Sequence, residues 1–500
     1  MDPFPEYESF DAVGLAELVA DGDIHPRELV AAVADRIERR DGEINAVIST
    51  RIEAALAEAT EDVGSGPFAG VPILIKDLVF EEGVSVTFGS AFFRDHVAQH
   101  TSEFRTRLSR AGFIDIGRTN TPEFGLLPTT EPVLHGPTRN PWNVAYSAGG
   151  SSGGAAAAVA AGIVPLAQGS DGGGSIRIPA SACGLFGLKP SRGRNPRRPA
   201  ATSDYLSVEL GLTRTVRDTA ALLDAVWGPV PGDRYWAPLP ETSFREASRT
   251  DPAVLRIAYT IRDFRGDRVH PDAEAAALET VALLESLGHQ VVEARPGLDG
   301  RAMAQAFLEV WASLAAGIFR LILEAGSERP QVRRLRSVVG DRRTMRIIAR
   351  LHQRSTGSPA FEPFTRRLAE RSMQRSQADL IAAETLLEGI AHTTGAFLEE
   401  HDMMLSPVLG APPVRLDTFD QTAPWEELTD RLFRYVAFTP LANFGGFPAM
   451  SVPLHWTSDG LPVGSHFTAR FGDEVNLLRL AGQLERSQPW RDRVAPLFNS

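Results

Sequence analysis

Residues 146–190 read YSAGGSSGGAAAAVAAGIVPLAQGSDGGGSIRIPASACGLFGLKP. The stretch is crowded with Gly, Ser and Ala and holds few large side chains until its end. It cannot build a core by itself. It suits close approach of backbone to something else, because glycine leaves amide N–H groups uncovered and tolerates positive φ. Two serines stand out, Ser151 in GGSSGG and Ser175 in DGGGS. Between them, the Ala-rich run 155–161 predicts a short helix and residues 163–167 predict a buried strand. One serine therefore opens a helix, and the other sits in a glycine loop after a strand. The amides of Gly172, Gly173, Gly174 and Ser175 in that loop can converge on one oxygen and hold a developing negative charge.

Upstream lies GPFAGVPILIKDLVF, residues 66–80. The apolar run 73–75 after Pro72 predicts a buried strand that ends in Lys76 and Asp77. A lone lysine in such a place is ordinarily snorkelling or salt-bridged, here with Asp77. Residues 10–60 carry helical periodicity, and 101–120 predict a helix followed by a strand. The turn-rich segment 119–143 is too long for a simple connector and reads as a functional loop. Downstream, helices are expected over 213–226 and 271–287 and strands over 254–259, 290–294 and 403–406, with a Pro-rich crossing linker at 228–252. That rhythm of strand and helix indicates an α/β sheet.

The pieces GGSSGG, DGGGSIRIP and CGLFGLKP stand in order, over roughly forty positions of fixed spacing. Together they resemble the amidase signature family, serine amidases with a Ser–Ser–Lys triad. The resemblance extends to GVPILIKD at residues 70–77, to TNTPEFGLLPTTEPVLHGPTRNPWN at 119–143, and to TPLANFGGFPAMSVP with DGLPVG near the end. It implies a large mixed, twisted sheet covered by helices on both faces. It also implies one amidase domain over residues 1–500, with a signature core at 66–227 and a variable helical region at about 299–400. The roles it implies are Ser175 as nucleophile, Ser151 as proton relay after a cis peptide, and Lys76 as base. It further implies Gly125, Leu126, Thr129 and Ser151 as substrate contacts, and Asp171 and Arg177 as braces of the glycine loop. Lys76 can act as a base only when neutral, and burial is the physical route to that state. The position after Asp171, commonly larger in the family, is Gly172 here. Actinobacterial-type amidases and cyclic-amide (nylon-oligomer) hydrolases share the TTEP…TRNPWN and DG-x-P-x-G pieces, which implies a linear or cyclic amide of modest size. A homodimer follows from family habit.

Composition sets the outer bounds. The 500 residues carry a formal net charge of −12, which argues against nucleic acid as a partner. The basic run 329–354 reads as a solvated helix face. A single cysteine, Cys183, excludes an intramolecular disulfide and fits a reducing compartment. The N-terminus lacks a signal pattern and no run of eighteen apolar residues occurs, so no membrane span is expected and the cytoplasm is the default location. Neither G-x-G-x-x-G nor a phosphate-binding loop is present, and no cofactor is expected. His96 and His100 have the i, i+4 spacing of a metal pair but lack an intervening glutamate, and read as surface histidines. Three rivals stay open. Gly149–Gly153 matches the G-x-S-x-G of α/β-hydrolases, although residues 138–148 do not read as the strand that motif needs. A glutamine-hydrolysing amidotransferase subunit would share the core, and an inactive binding scaffold would share the fold.

Overall fold

The computed structural model describes residues 4–59, 63–196, 205–326, 330–357 and 359–498. Its strands are β1 (Val47–Thr50), β2 (Pro72–Lys76), β3 (Ile114–Thr119), β4 (Arg139–Asn140), β5 (Asn143–Ser147), β6 (Leu166–Asp171), β7 (Phe186–Lys189), β8 (Val208–Thr213), β9 (Arg256–Tyr259), β10 (Gln290–Glu293), β11 (Met403–Pro407), β12 (Ala449–Trp456) and β13 (Pro462–Ala469). Eleven of them form one mixed sheet in the order β1-β3-β2-β6-β8-β7-β12-β13-β11-β9-β10. Helices flank this sheet. β4 and β5 form a separate small hairpin.

Two local pairings place the chemistry. β2 runs parallel to both β3 and β6, with Leu74 opposite Ala167. The C-terminal ends of β2 and β6 therefore open on the same side, where open α/β sheets receive their ligands. Lys76 ends β2, and Asp171 ends β6 just before the glycine loop. β6 starts later than the apolar run 163–167 predicts and continues through Gln168–Asp171. Its polar half holds as a strand because every residue pairs antiparallel with β8, through Asp171 opposite Val208. The Ala-rich run forms the helix Gly153–Ala160, buried along most of its length. It approaches other backbone closely: a Cβ on Gly154 would lie 2.4 Å from the Asn120 amide nitrogen and 2.6 Å from the Ala46 carbonyl oxygen.

The segment 228–252 is not wholly a linker. Ser243 caps a short helix, Phe244–Arg249, whose Phe244 and Ala247 are buried. Six residues are too few to show helical periodicity in a proline-rich surround. The strand expected at residue 254 starts at Arg256. Within the 299–400 region, the helices Gly300–Gly326, Pro330–Thr356, Pro363–Ser372 and Gln377–Glu400 follow one another. Arg329, where the basic run begins, lies outside the described residues; Arg343, Arg346, Arg350 and Arg354 are exposed.

Residues Gly300–Arg320 are long and apolar enough to cross a membrane, with mean hydropathy 1.4, although polar residues interrupt the run. Half of that stretch is buried inside the fold. The reason for its all-round apolarity is visible in the packing. Leu308, Ala312, Ala315 and Phe319 enter one hydrophobic cluster, while Met303, Ala306 and Val310 enter another. A helix inserted between two cores needs apolar residues on both faces.

Gly154→Ala is expected to cost about 2–3 kcal/mol, because the methyl meets backbone that cannot rotate away. Gly389, in the helix Gln377–Glu400, has nothing within 4 Å of its missing Cβ. Gly389→Ala is expected to gain up to about 1 kcal/mol. Urea midpoints at unchanged m-value check both.

Candidate active site

Lys76 emerges from β2 fully buried. Its Nζ lies 2.8 Å from Ser151 Oγ, 2.9 Å from Ser152 Oγ and 3.1 Å from Ser170 Oγ. The amide of Lys76 donates to Gln168 Oε1. Among the described residues no carboxylate hydrogen-bonds to Nζ, and Asp77 instead accepts from the Thr87 amide and hydroxyl. Burial pulls the lysine pKa down to about 7, against the opposing fields of Asp171 and Glu209. Ser152 donates to the Ser170 carbonyl and accepts from the Ser170 amide. Its hydroxyl proton is thus committed, and it can only accept from Lys76. In a neutral Lys76 this leaves the nitrogen lone pair free to face Ser151.

Ser151 follows a cis Gly150–Ser151 peptide and precedes the helix Gly153–Ala160. Its Oγ lies 3.0 Å from where a Cβ on Gly125 would sit, so Gly125 is the roof over this hydroxyl. Ser175 follows Gly174, which has φ 131°, and is 8% exposed. The Ser152 amide donates to the Ser175 carbonyl at 3.2 Å, joining the two serine segments.

The glycine loop is held by a buried ion pair. Arg177 donates from Nε to Asp171 Oδ2 and from Nη2 to Asp171 Oδ1, each at 2.9 Å. Arg177 also donates to Asn443 Oδ1 and to His466 Nε2. That last bond makes Nε2 an acceptor and places the proton of neutral His466 on Nδ1, facing Ser406 Oγ. Burial drives His466 well below its ordinary pKa, and Arg177 adds to the effect. Burial alone would raise the Asp171 carboxyl, but the Arg177 charge and hydrogen bonds, with Asn443, outweigh it and hold the group well below the usual carboxylate range. Asp171 Oδ1 accepts from the Gly174 amide at 2.8 Å, and Thr439 Oγ1 donates to the Gly173 carbonyl at 2.7 Å.

Two of the site residues read from the sequence fall elsewhere. The Gly174 amide is spent on Asp171; of the loop residues, Gly173 and Ser175 line the cavity. Thr129 is buried behind the wall, with its backbone against Gly150 and its side chain on Glu131. It is Gly125, Leu126, Leu127 and Pro128 that line the cavity. The segment before Ser151 also needs correcting: Asn143–Ser147 does form a strand, β5. It belongs to the β4–β5 hairpin and not to the main sheet, so it supplies no α/β-hydrolase elbow. Among the described residues no histidine hydrogen-bonds to Ser151 or Ser175. His96 packs on Phe88 and Phe93, and His100 stacks on Phe80.

The cavity beside Ser175 has a volume of about 590 Å³ including its mouth. Its wall comes from Phe307, Leu308 and Trp311 of the Gly300–Gly326 helix, from Phe364, and from Leu432 and Phe433 of the helix Trp425–Tyr435. Among the described residues no charged side chain lines it. Sequence reading missed Ser152, Ser170, Thr439, Asn443, His466 and Trp311. Thr439 and Asn443 stand in the TPLAN motif, a signal that carried a resemblance but no role.

A family model described as Amidase matches residues 28–478. The chain is 35% identical to the 6-aminohexanoate-cyclic-dimer hydrolase of Pseudomonas sp. (strain NK87), over 98% of this chain and 97% of that protein. A solved structure of 6-aminohexanoate cyclic dimer hydrolase superposes with TM-score 0.85 at 34% identity, covering 98% and 99% of the two chains. A bacterial aryl acylamidase structure superposes with TM-score 0.83 at 27% identity, covering 97% and 98%. The chain belongs to the amidase signature family and is an amide-bond hydrolase. The similarity runs through the 299–400 region as well as the signature core.

Arg177→Met strands the Asp171 carboxylate in a dry site and is expected to cost about 3–5 kcal/mol, read from the urea midpoint. The pH dependence has a defined sign. The folded Asp171 pKa is depressed, so its contribution is complete above the ordinary carboxylate value of about 4 and is lost as pH falls below it. Asp171→Asn should remove that part of the acid limb.

Proposed function

We propose that Ser175 is the nucleophile, Ser151 the proton relay and Lys76 the base of an amidase that acts on uncharged carboxylic amides. The observation that carries this reading is a fully buried lysine with three hydroxyls and no carboxylate on its Nζ. A lysine with a pKa near 7 is substantially neutral at physiological pH.

The Ser175 oxygen adds to the amide carbonyl carbon. Its proton passes to Ser151 Oγ as the Ser151 proton passes to Lys76 Nζ. The carbonyl oxygen becomes an oxyanion held by the amides of Gly172, Gly173 and Ser175, where one donor is worth roughly 3–4 kcal/mol. Return of the proton through Ser151 to the nitrogen breaks the C–N bond, releases the amine and leaves an ester on Ser175. Water then repeats the sequence, and the carboxylic acid leaves.

Two observations bear on the substrate. The cavity offers no partner for a charge, so a charged acyl group would be desolvated without compensation. A cyclic amide carries no terminal charge, and the likeness to the cyclic-dimer hydrolase supports a cyclic or an apolar linear substrate. Because one eleven-stranded sheet takes its strands from β1 near the N-terminus to β13 near the C-terminus, we read the whole chain as one amidase domain. Its one cysteine, buried and unpaired, suits a cytoplasmic enzyme.

Intact mass after exposure to a serine-directed fluorophosphonate tests the triad. Wild type should take one adduct, Ser175→Ala none, and Lys76→Ala one that forms about 10²–10⁴-fold more slowly. The wild-type rate should rise as pH increases through about 7, because only neutral Lys76 accepts a proton. An adduct that persists in Ser175→Ala would reject the assignment.

A further inference from the structure

Trp311 touches both loops of the site. Its indole Nε1–H donates to the Leu126 carbonyl at 3.2 Å, on the segment that roofs Ser151. The far edge of its ring lies 3.5 Å from where a Cβ on Gly172 would sit and 3.8 Å from the corresponding point on Gly173. Phe307, one helical turn earlier, stacks on it with ring centroids 5.5 Å apart and planes 23° apart. The Phe307 ring edge lies 3.4 Å from the Cβ position of Gly173. The two rings therefore pack on the glycine loop at Gly172 and Gly173, and both line the cavity beside Ser175. Gly172 matters for the same reason. A methyl there would lie in van der Waals contact with Trp311. Trp311 also packs against both hydrophobic clusters that grip its helix, which fixes the wall.

We propose that Trp311 is a specificity-determining residue: with Phe307 it forms an aromatic wall that selects uncharged acyl groups with a broad apolar face, while its N–H holds the opposite wall at Leu126. The proposal rests on the reading of Ser175 as nucleophile. Aromatic faces reward apolar and planar groups by contact area and offer a carboxylate nothing. The wall stands over the oxyanion donors, so acyl fit and carbonyl placement are set by one residue.

The experiment measures kcat and KM for the p-nitroanilides of acetic, hexanoic, benzoic and succinic acids. Wild type should prefer the hexanoyl and benzoyl compounds over the acetyl and succinyl ones by at least about 10-fold in kcat/KM. Trp311→Ala should reduce the benzoyl-to-acetyl ratio by about 10-fold or more. Trp311→Phe keeps a ring and loses the N–H; it should preserve the ranking while raising KM throughout. Should Trp311→Ala fail to fold, Phe307→Ala provides the same readout with the tryptophan anchor intact. An equal fall for all four substrates in Trp311→Ala would overturn the proposal, making the residue a structural prop. A wild type that shows no preference, or turns over none of the four while Ser175 still takes the fluorophosphonate, would overturn it and leave the nucleophile reading standing. Loss of the Ser175 adduct itself would mark the failure of the underlying reading instead.

Discussion

Everything at the site hangs from the pair Asp171–Arg177. Two charges with no water around them are costly to bury, and they persist only when every donor and acceptor is used. Here they are. Arg177 meets Asp171 twice, then Asn443 and His466, while Asp171 also receives the Gly174 amide. The pair pins both ends of the glycine loop, because Asp171 closes β6 and Arg177 opens the helix Arg177–Cys183. What lies between them, Gly172–Ile176, has little freedom left. The backbone of the loop is therefore set in place before any substrate arrives, which is the condition under which fixed dipoles stabilise charge most.

The lysine side of the site works by the opposite means. Lys76 has no charged partner at hydrogen-bond distance, and its pKa falls because water is absent. Hydroxyls suit this position. They satisfy the nitrogen's hydrogen bonds in either protonation state, whereas a carboxylate would hold the ammonium form. Ser152, locked to the Ser170 backbone in both directions, orients the nitrogen so that its free lone pair has one direction left. Two buried charged systems thus stand side by side, one stabilised by pairing and the other neutralised by isolation.

Much of this was legible in the chain. The glycine-serine stretch and the lysine at the end of an apolar run are local patterns, and local patterns survive in sequence. The apolar runs mark β2 and the neighbourhood of β6, whose start and end both lie later than its run. Its last residues, Gln168–Asp171, are polar, and they are a strand only because β8 pairs with them. The Gly174 amide could not be told from its neighbours, since the sequence does not say which amide turns toward a carboxylate. Thr129 stands in the right loop, but that loop turns through two positive-φ residues, Phe124 and Gly125, which the sequence pattern does not reveal. Trp311 lay in a helix whose apolar residues pointed only to burial. Its partners Leu126 and Gly172 are more than a hundred residues away, and no periodicity reports such a contact.

The reach of those bonds has a consequence for how the enzyme comes into being. Asn443 and His466 close on Asp171 and Arg177 across 266 to 289 positions of chain. A growing polypeptide already contains Lys76, Ser151 and Ser175 long before it contains the residues that hold the glycine loop. Contacts of such sequence separation form late, after the ordering of the segments between them. The glycine loop therefore gains its last hydrogen-bond partners only when the helix Pro440–Gly445 and β13 are in place. The bracing of this loop is thus a property of the nearly full-length chain and not of the segment that contains it.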